Sequence, residues 1–166
     1  MSTLSTFDIS TLDAQKKTVV LGLGNVLLTD EGIGVHVINK MMEMGFPPEV
    51  ELVEGGVDGL RLMGVVMDID RLVVIDAVKG GGSPGSIYRF GPEDLINNTD
   101  TSKMSVHQIG ILEVIRLSGL VGKVPETTII GVEPKSVEMG MELTPEIQSK
   151  VPRIIELVLD ELKASA

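Results

Sequence analysis

Three residues whose chemistry stands out lie at or beside the ends of apolar runs. Glu31 sits in GLGNVLLTDEGIGV (22–35), Asp76 closes the run RLVVID within RLVVIDAV (71–78), and His107 lies in SVHQIG (105–110). An acid at the end of an apolar strand is exposed at the sheet edge, neutralised by a partner or bound to a cation. Taken together, the three form a two-carboxylate, one-imidazole set. Mixed nitrogen and oxygen ligation suits a borderline divalent ion such as nickel or zinc, and three protein ligands leave positions open for water or substrate groups. The spacing does not create such a site by itself. A fold has to bring residues 31, 76 and 107 to one rim.

The same residues admit other readings. A glycine-rich loop between a strand and a helix suggests a nucleotide site. Gly22 and Gly24 match G-x-G-x-x-G, but Leu27 stands where the third glycine belongs, and Asp30 and Glu31 would repel a pyrophosphate. No Walker pattern is present, so no nucleotide is expected. Asp30 has a bland role available as a helix cap, favoured by the helix dipole. His36 falls inside a helical pattern and is read as facing solvent. Gly81-Gly82-Ser83-Pro84-Gly85 matches G-x-S-x-G, yet a proline follows the serine and the next segment reads as a strand, so it is a β-turn rather than a nucleophile elbow.

Composition narrows the field further. The chain has 166 residues, a net charge of −10 and no cysteine. An acidic chain lacks the basic surface that nucleic acid requires. The absence of cysteine removes disulfides, thiol catalysis and iron–sulfur ligation. With two histidines in all, a three-histidine zinc site is impossible. No apolar run approaches the roughly 20 residues that span a bilayer, and the first residues lack a basic start followed by an apolar core. No membrane association and a cytoplasmic location are expected.

The elements that must position these residues follow from periodicity. Short apolar strands are predicted at 18–24, 50–54, 71–78 and 127–132, with a further strand at 86–90. Helices are predicted from Ile33 to Met44, over 60–67, from about 105 to 117, and from Pro145 to about Leu162. Segment 91–104 reads as polar and irregular, and 133–143 as a long loop. Residues 1–17 read as a polar N-terminal extension and 18–166 as a single domain. Strands alternating with helices give an α/β protein with a mainly parallel sheet covered on both faces. In such sheets, sites form beyond the carboxyl ends of the strands, which marks the polar groups just after Gly24, Glu54, Asp76 and Val132, Glu31 among them.

The segments GLGNVLLTDEGIGV, GGVDG (55–59), VVIDAV (73–78) and SVHQIG, in this order and at these distances, closely resemble the hydrogenase maturation endopeptidases. The resemblance covers about residues 18–162. It implies a three-layer α/β/α sandwich around a twisted five-stranded sheet. It implies an endopeptidase that removes a C-terminal extension from the large-subunit precursor of a [NiFe] hydrogenase after nickel has entered that precursor. The family's metal-contacting residues match Glu31, Asp76 and His107, with nickel supplied by the precursor and zinc a possible substitute. The general base is unassigned, with Glu54 and Asp58 as candidates on the second-strand loop. Two departures stand out: Val57 replaces the hydroxyl residue common after the second glycine pair, and the N-terminal extension is longer than the family core. Under this resemblance the acidic helix entrance faces a cation, and Asn25 pins the glycine loop through side-chain to backbone bonds. The alternative from another class is a non-catalytic checkpoint protein that binds the metal-loaded precursor without cutting it.

Overall fold

The computed structural model describes residues 10, 12–13, 15–56, 62–97 and 106–163, with backbone alone at 95–97 and 106–109. The chain runs β1 (Thr18–Leu23), a 3-10 turn (Thr29–Gly32), α1 (Ile33–Met42), β2 (Val50–Gly56), α2 (Met63–Val66), β3 (Arg71–Ala77), β4 (Ile87–Phe90), α3 (Pro92–Asn97), α4 (Val106–Val121), β5 (Glu126–Val132), α5 (Pro145–Gln148) and α6 (Val151–Leu162). The five strands are ordered β2-β1-β3-β5-β4. β1 pairs in parallel with β2 and β3, and β3 in parallel with β5. Only β4 is antiparallel, on the edge beside β5. The mainly parallel five-stranded sheet matches the sequence expectation.

β1 and β3 are buried along their whole length, as a parallel sheet covered on both faces demands. Their side chains alternate between two cores. Val20, Val73, Ile75 and Ile130 face α1 and α6. Val19, Leu21, Leu72, Val74 and Ile129 face α2 and α4. α6 places Val151, Ile154, Ile155, Val158, Leu159 and Leu162 on one buried stripe, each worth about 1.5–3 kcal/mol on burial. Among the described residues, no helix is long and apolar enough to cross a membrane.

Three element boundaries depart from the sequence expectation. The closing helix is broken into α5 and α6 at Ser149-Lys150. Pro152 lacks the N–H that would donate to the Gln148 carbonyl, so the helix restarts with proline in its first turn. α4 continues past Leu117 to Val121, because the buried Ser118 hydroxyl donates back to the Ile115 carbonyl (2.6 Å) and leaves no polar group stranded. The segment predicted to be irregular opens with α3. Pro92 starts it, and Asp94 accepts the Gly91 N–H (2.9 Å) while its own N–H donates to the Gly91 carbonyl.

The amino ends of the strands are tied by one cation. Arg71 is buried at the start of β3. Its guanidinium donates to Thr18 Oγ1 (3.1 Å) and to the carbonyls of Glu161 (2.9 Å) and Leu162 (3.3 Å), closing the end of α6. Leu12, within the N-terminal extension, is buried in the α1/α6 core and bridges Lys163, and the Asp13 N–H donates to Leu162 (2.9 Å). Beside them, Asp70 accepts from Lys123 and from the Lys17 backbone N–H (2.8 Å).

Replacing Arg71 with Met removes three hydrogen bonds, with the Leu162 carbonyl keeping only the Asp13 N–H. It is expected to lower unfolding free energy by about 2–4 kcal/mol, seen as a fall in urea midpoint at constant slope. Asp70 titrates below the usual carboxylate range, chiefly through its bond to the Lys123 ammonium and then through the Lys17 N–H. Its stabilising contribution is therefore present above the ordinary carboxylate pKa and lost as pH falls through the lowered folded value. Asp70→Asn should flatten the acid limb of a stability-against-pH curve and leave its slope above pH ~6 unchanged.

Candidate functional site

The carboxyl ends of β1 and β3 are brought together by glycines. Gly24 adopts φ +122°, and a β-carbon there would collide with the Glu31 carbonyl oxygen. A β-carbon on Gly34 would collide with the Ile75 carbonyl, the residue before Asp76. Only glycine permits both approaches. The 3-10 turn carrying Glu31 consequently packs against β3, and α1 enters directly above the strand ends. Asn25 Oδ1 accepts the Leu27 N–H (2.9 Å), so the expected pinning of the loop is present.

Asp76 is fully buried. By strand alternation it shares the face of Leu72 and Val74, the α2/α4 side of the sheet. Its Oδ1 accepts the Ala77 N–H (2.8 Å). Glu31 is half-buried. The backbone of His107 lies in the first turn of α4, the helix on the Asp76 face. Its side chain lies outside the described residues, as does all of Asp58. Glu54 is exposed near the end of β2, opposite Gly22 in the register. Among the described residues, no three His, Asp or Glu side chains form a metal cage. The topology nevertheless sets the Glu31 turn against β3, and Asp76 on the face that α4 covers.

Asp30 does not cap α1, contrary to the bland reading of the sequence. It is fully buried, and α1 has no side-chain cap. Its carboxylate instead accepts the N–H groups of Lys135 (3.0 Å), Ser136 (3.0 Å) and Thr144 (2.8 Å) and the Thr144 hydroxyl (2.8 Å). The backbone adds to this tether: Asp30 N–H to Ser136 (3.0 Å), Thr29 N–H to Gly140 (2.8 Å) and Gly140 N–H to Leu27 (2.9 Å). Thr29 is held at φ +52°, a conformation that costs a β-branched residue about 1–3 kcal/mol. The Thr29 N–H bond to Gly140 and its hydroxyl bond to the Glu138 carbonyl offset that strain. Loop 133–144 is thereby fixed to the turn that presents Glu31.

A second acid, in the position after Val132 that the sequence marks, was not singled out as a residue by sequence reasoning. Glu133 closes β5 as Asp76 closes β3, and that position was the available signal. It is buried, and its two carboxylate oxygens accept the N–H groups of Gly80 and Gly81 (both 2.9 Å). This fixes the loop that follows Asp76. The Ser86 N–H donates to the Ser83 carbonyl (3.0 Å), so GGSPG is a β-turn, as expected. His36 is half-buried in α1 rather than facing solvent, its Nε2 enclosed without a hydrogen-bond partner. A cleft of about 320 Å³ lies at the opposite end of the sheet, where Arg89 pairs with Glu161 and Lys16 with Glu126 (3.8 Å). Its charges answer one another, and it is remote from the strand ends that carry Glu31 and Asp76.

The fold and the acidic, glycine-set rim define an α/β/α protein of the maturation-endopeptidase type. The structure superposes on the hydrogenase maturating endopeptidase HybD of Escherichia coli with a TM-score of 0.78 at 35% identity, covering 88% of this chain and 91% of that one. It also superposes on the [NiFe] hydrogenase maturation protease HybD of Thermococcus kodakarensis, with a TM-score of 0.76 at 27% identity, over 89% of this chain and 99% of that one. In sequence it is 34% identical over 152 residues to the hydrogenase 2 maturation protease of E. coli K12, covering 90% of this chain and 92% of that protein. It is 36% identical to the hydrogenase expression/formation protein HupD of Rhodobacter capsulatus, over 90% of this chain and 72% of that protein. The family model described as hydrogenase maturation protease (HycI) matches residues 35–161. The chain belongs to the hydrogenase maturation protease family, and it is a peptidase.

Asp30→Asn replaces an acceptor of four bonds with a group that turns an NH2 toward N–H donors. It is expected to cost about 2–4 kcal/mol of stability. The loss should be local first: amide exchange at Lys135, Ser136 and Thr144 should rise well before that of the β3 amides.

Proposed function

We propose that this peptidase removes the C-terminal extension of a [NiFe] hydrogenase large-subunit precursor after nickel insertion, with the precursor's nickel as its recognition handle. The observation that carries the reading is Asp76, a fully buried carboxylate at the end of β3 beside the turn of Glu31. A buried carboxylate is costly to desolvate, and a cation brought by the substrate offsets that cost. Glu31, Asp76 and His107 supply two oxygens and a nitrogen, a donor set suited to a borderline divalent ion; zinc would suit the same donors. Nickel arrives as part of the substrate, so a precursor without metal offers the three groups no target. This makes cleavage wait for insertion. The setting is the cytoplasm.

Cleavage is hydrolysis. Water adds to the scissile carbonyl carbon, the C–N bond breaks, and the water's protons end on the new carboxyl and amine termini. The general base comes from the rim. Glu54, exposed near the end of β2, is the described candidate, and Asp58 follows it in the chain. In this reading Asp76 and Glu31 hold the substrate's metal, and a separate carboxylate takes the proton.

Intact-mass spectrometry of the large-subunit precursor, incubated with this protein with and without nickel loading, tests the reading. Loss of a C-terminal peptide from the nickel-loaded form alone is expected, and Asp76→Asn should slow it at least about 100-fold. Binding without any mass change would support a checkpoint protein that recognises the loaded precursor. Equal cutting of both forms would refute the nickel handle and leave the protease.

A further inference from the structure

We propose that loop 137–141, together with Leu27, is a docking surface for the precursor polypeptide, and that it takes an apolar segment bordered by basic side chains next to the precursor's metal. The proposal rests on the function proposed above and names the surface that the same substrate uses. Met139 is 90% exposed, Met141 69% and Leu27 54%. Val137 is partly exposed on the same loop. These side chains belong together in space. Gly140, between the two methionines, bonds through its N–H to the Leu27 carbonyl (2.9 Å) and forms a bridge with Leu28. A contiguous apolar surface held on hydrogen-bonded backbone is a mark of an interaction site.

Two further observations select the occupant. The patch is continuous with the proposed site: the backbone that presents it is locked to Thr29 and Asp30, and the next residue is Glu31. A polypeptide seated on the methionines therefore has its neighbouring segment at the Glu31 end of the rim. The patch also has a charged border. Glu138 and Glu142 are exposed on either side of the two methionines, whereas Lys135, the nearest cation along the chain, is paired with Glu146 (2.5 Å). An apolar segment flanked by Lys or Arg complements that arrangement. Methionine suits the task, since its flexible, polarizable side chain fits surfaces of irregular shape. The backbone is ordered before binding, so docking orders side chains and little else.

The test is biolayer interferometry of the purified nickel-loaded precursor against the immobilised full chain. Met139→Gln/Met141→Gln, which keeps side-chain length, is expected to raise Kd at least about tenfold. Glu138→Gln/Glu142→Gln should raise it less and reduce its dependence on salt. Leu120→Gln/Val121→Gln, on an exposed apolar patch at the far end of α4, should leave Kd within about twofold. If the double methionine variant melts early, Met139→Gln alone, at the most exposed position, is read instead. A wild type that binds and cuts the precursor beside a methionine variant of unchanged Kd overturns the docking surface and leaves the proposed function standing. A wild type that neither binds nor cuts the loaded precursor overturns both.

Discussion

Asp30 has no exposed surface, and its carboxylate accepts four hydrogen bonds from residues more than a hundred positions later in the chain. Much of the rim depends on this interaction. The loop after β5 has neither helix nor strand of its own over the twelve residues 133–144, and a loop of that length is ordinarily mobile. Here its two ends are held by carboxylates: Asp30 takes the N–H groups of Lys135, Ser136 and Thr144, and Glu133 takes those of Gly80 and Gly81. Three separate connections, after β1, β3 and β5, become one frame. Charged acceptors make stronger bonds than neutral ones, and in a chain without cysteine two acids take the place of a disulfide.

The frame needs a close approach between elements as well as tethers. Gly24 lets the Glu31 carbonyl lie against β1, and Gly34 lets α1 lie against β3 at Ile75. Alanine at either position would force the turn away from the strand ends by the width of a methyl group. Loss of a glycine at residue 24 or 34 would therefore move Glu31 relative to Asp76, although neither glycine carries chemistry. Thr29 is part of the same constraint. Its left-handed backbone is tolerated because Gly140 and Glu138 bind it from the other loop, so strain beside Glu31 is stored only while loop 133–144 is in place.

The sheet was legible because β1 and β3 are largely apolar runs, as parallel strands buried on both faces require, and because β5 ends in the apolar run Ile129–Val132. The paired glycines around TDEG were legible as a close approach. What sequence alone obscured were pairings made across the chain. Asp30 looked like a helix cap because dipole and capping rules are local, whereas its real partners at 135, 136 and 144 are set by tertiary structure. Glu133 went unread for the same reason. α3 was hidden in a polar stretch whose signals, Pro92 and two first-turn acids, are about termini rather than periodicity. The break between α5 and α6 follows from one missing N–H at Pro152 inside an otherwise unbroken apolar stripe.

The adjacent acids Asp30 and Glu31 set this glycine loop apart from a phosphate loop. Asp30 spends its lone pairs on backbone N–H groups from another loop, so it is a structural anion that its donors already satisfy. Glu31, one residue later and half-buried, follows an entrance that is negative rather than positive. A phosphate loop works by turning free N–H groups toward its ligand; here the loop's N–H groups at Leu27, Leu28, Thr29, Asp30 and Glu31 already donate to Asn25, Gly140, Ser136 and Leu28. An anion at that entrance would meet a fixed negative charge at short range, and a cation would meet an attraction that water screens poorly in a half-buried setting. Asp30 and Glu31 together thus set the character of the entrance. The first makes the loop rigid, and the second gives the rigid loop its charge.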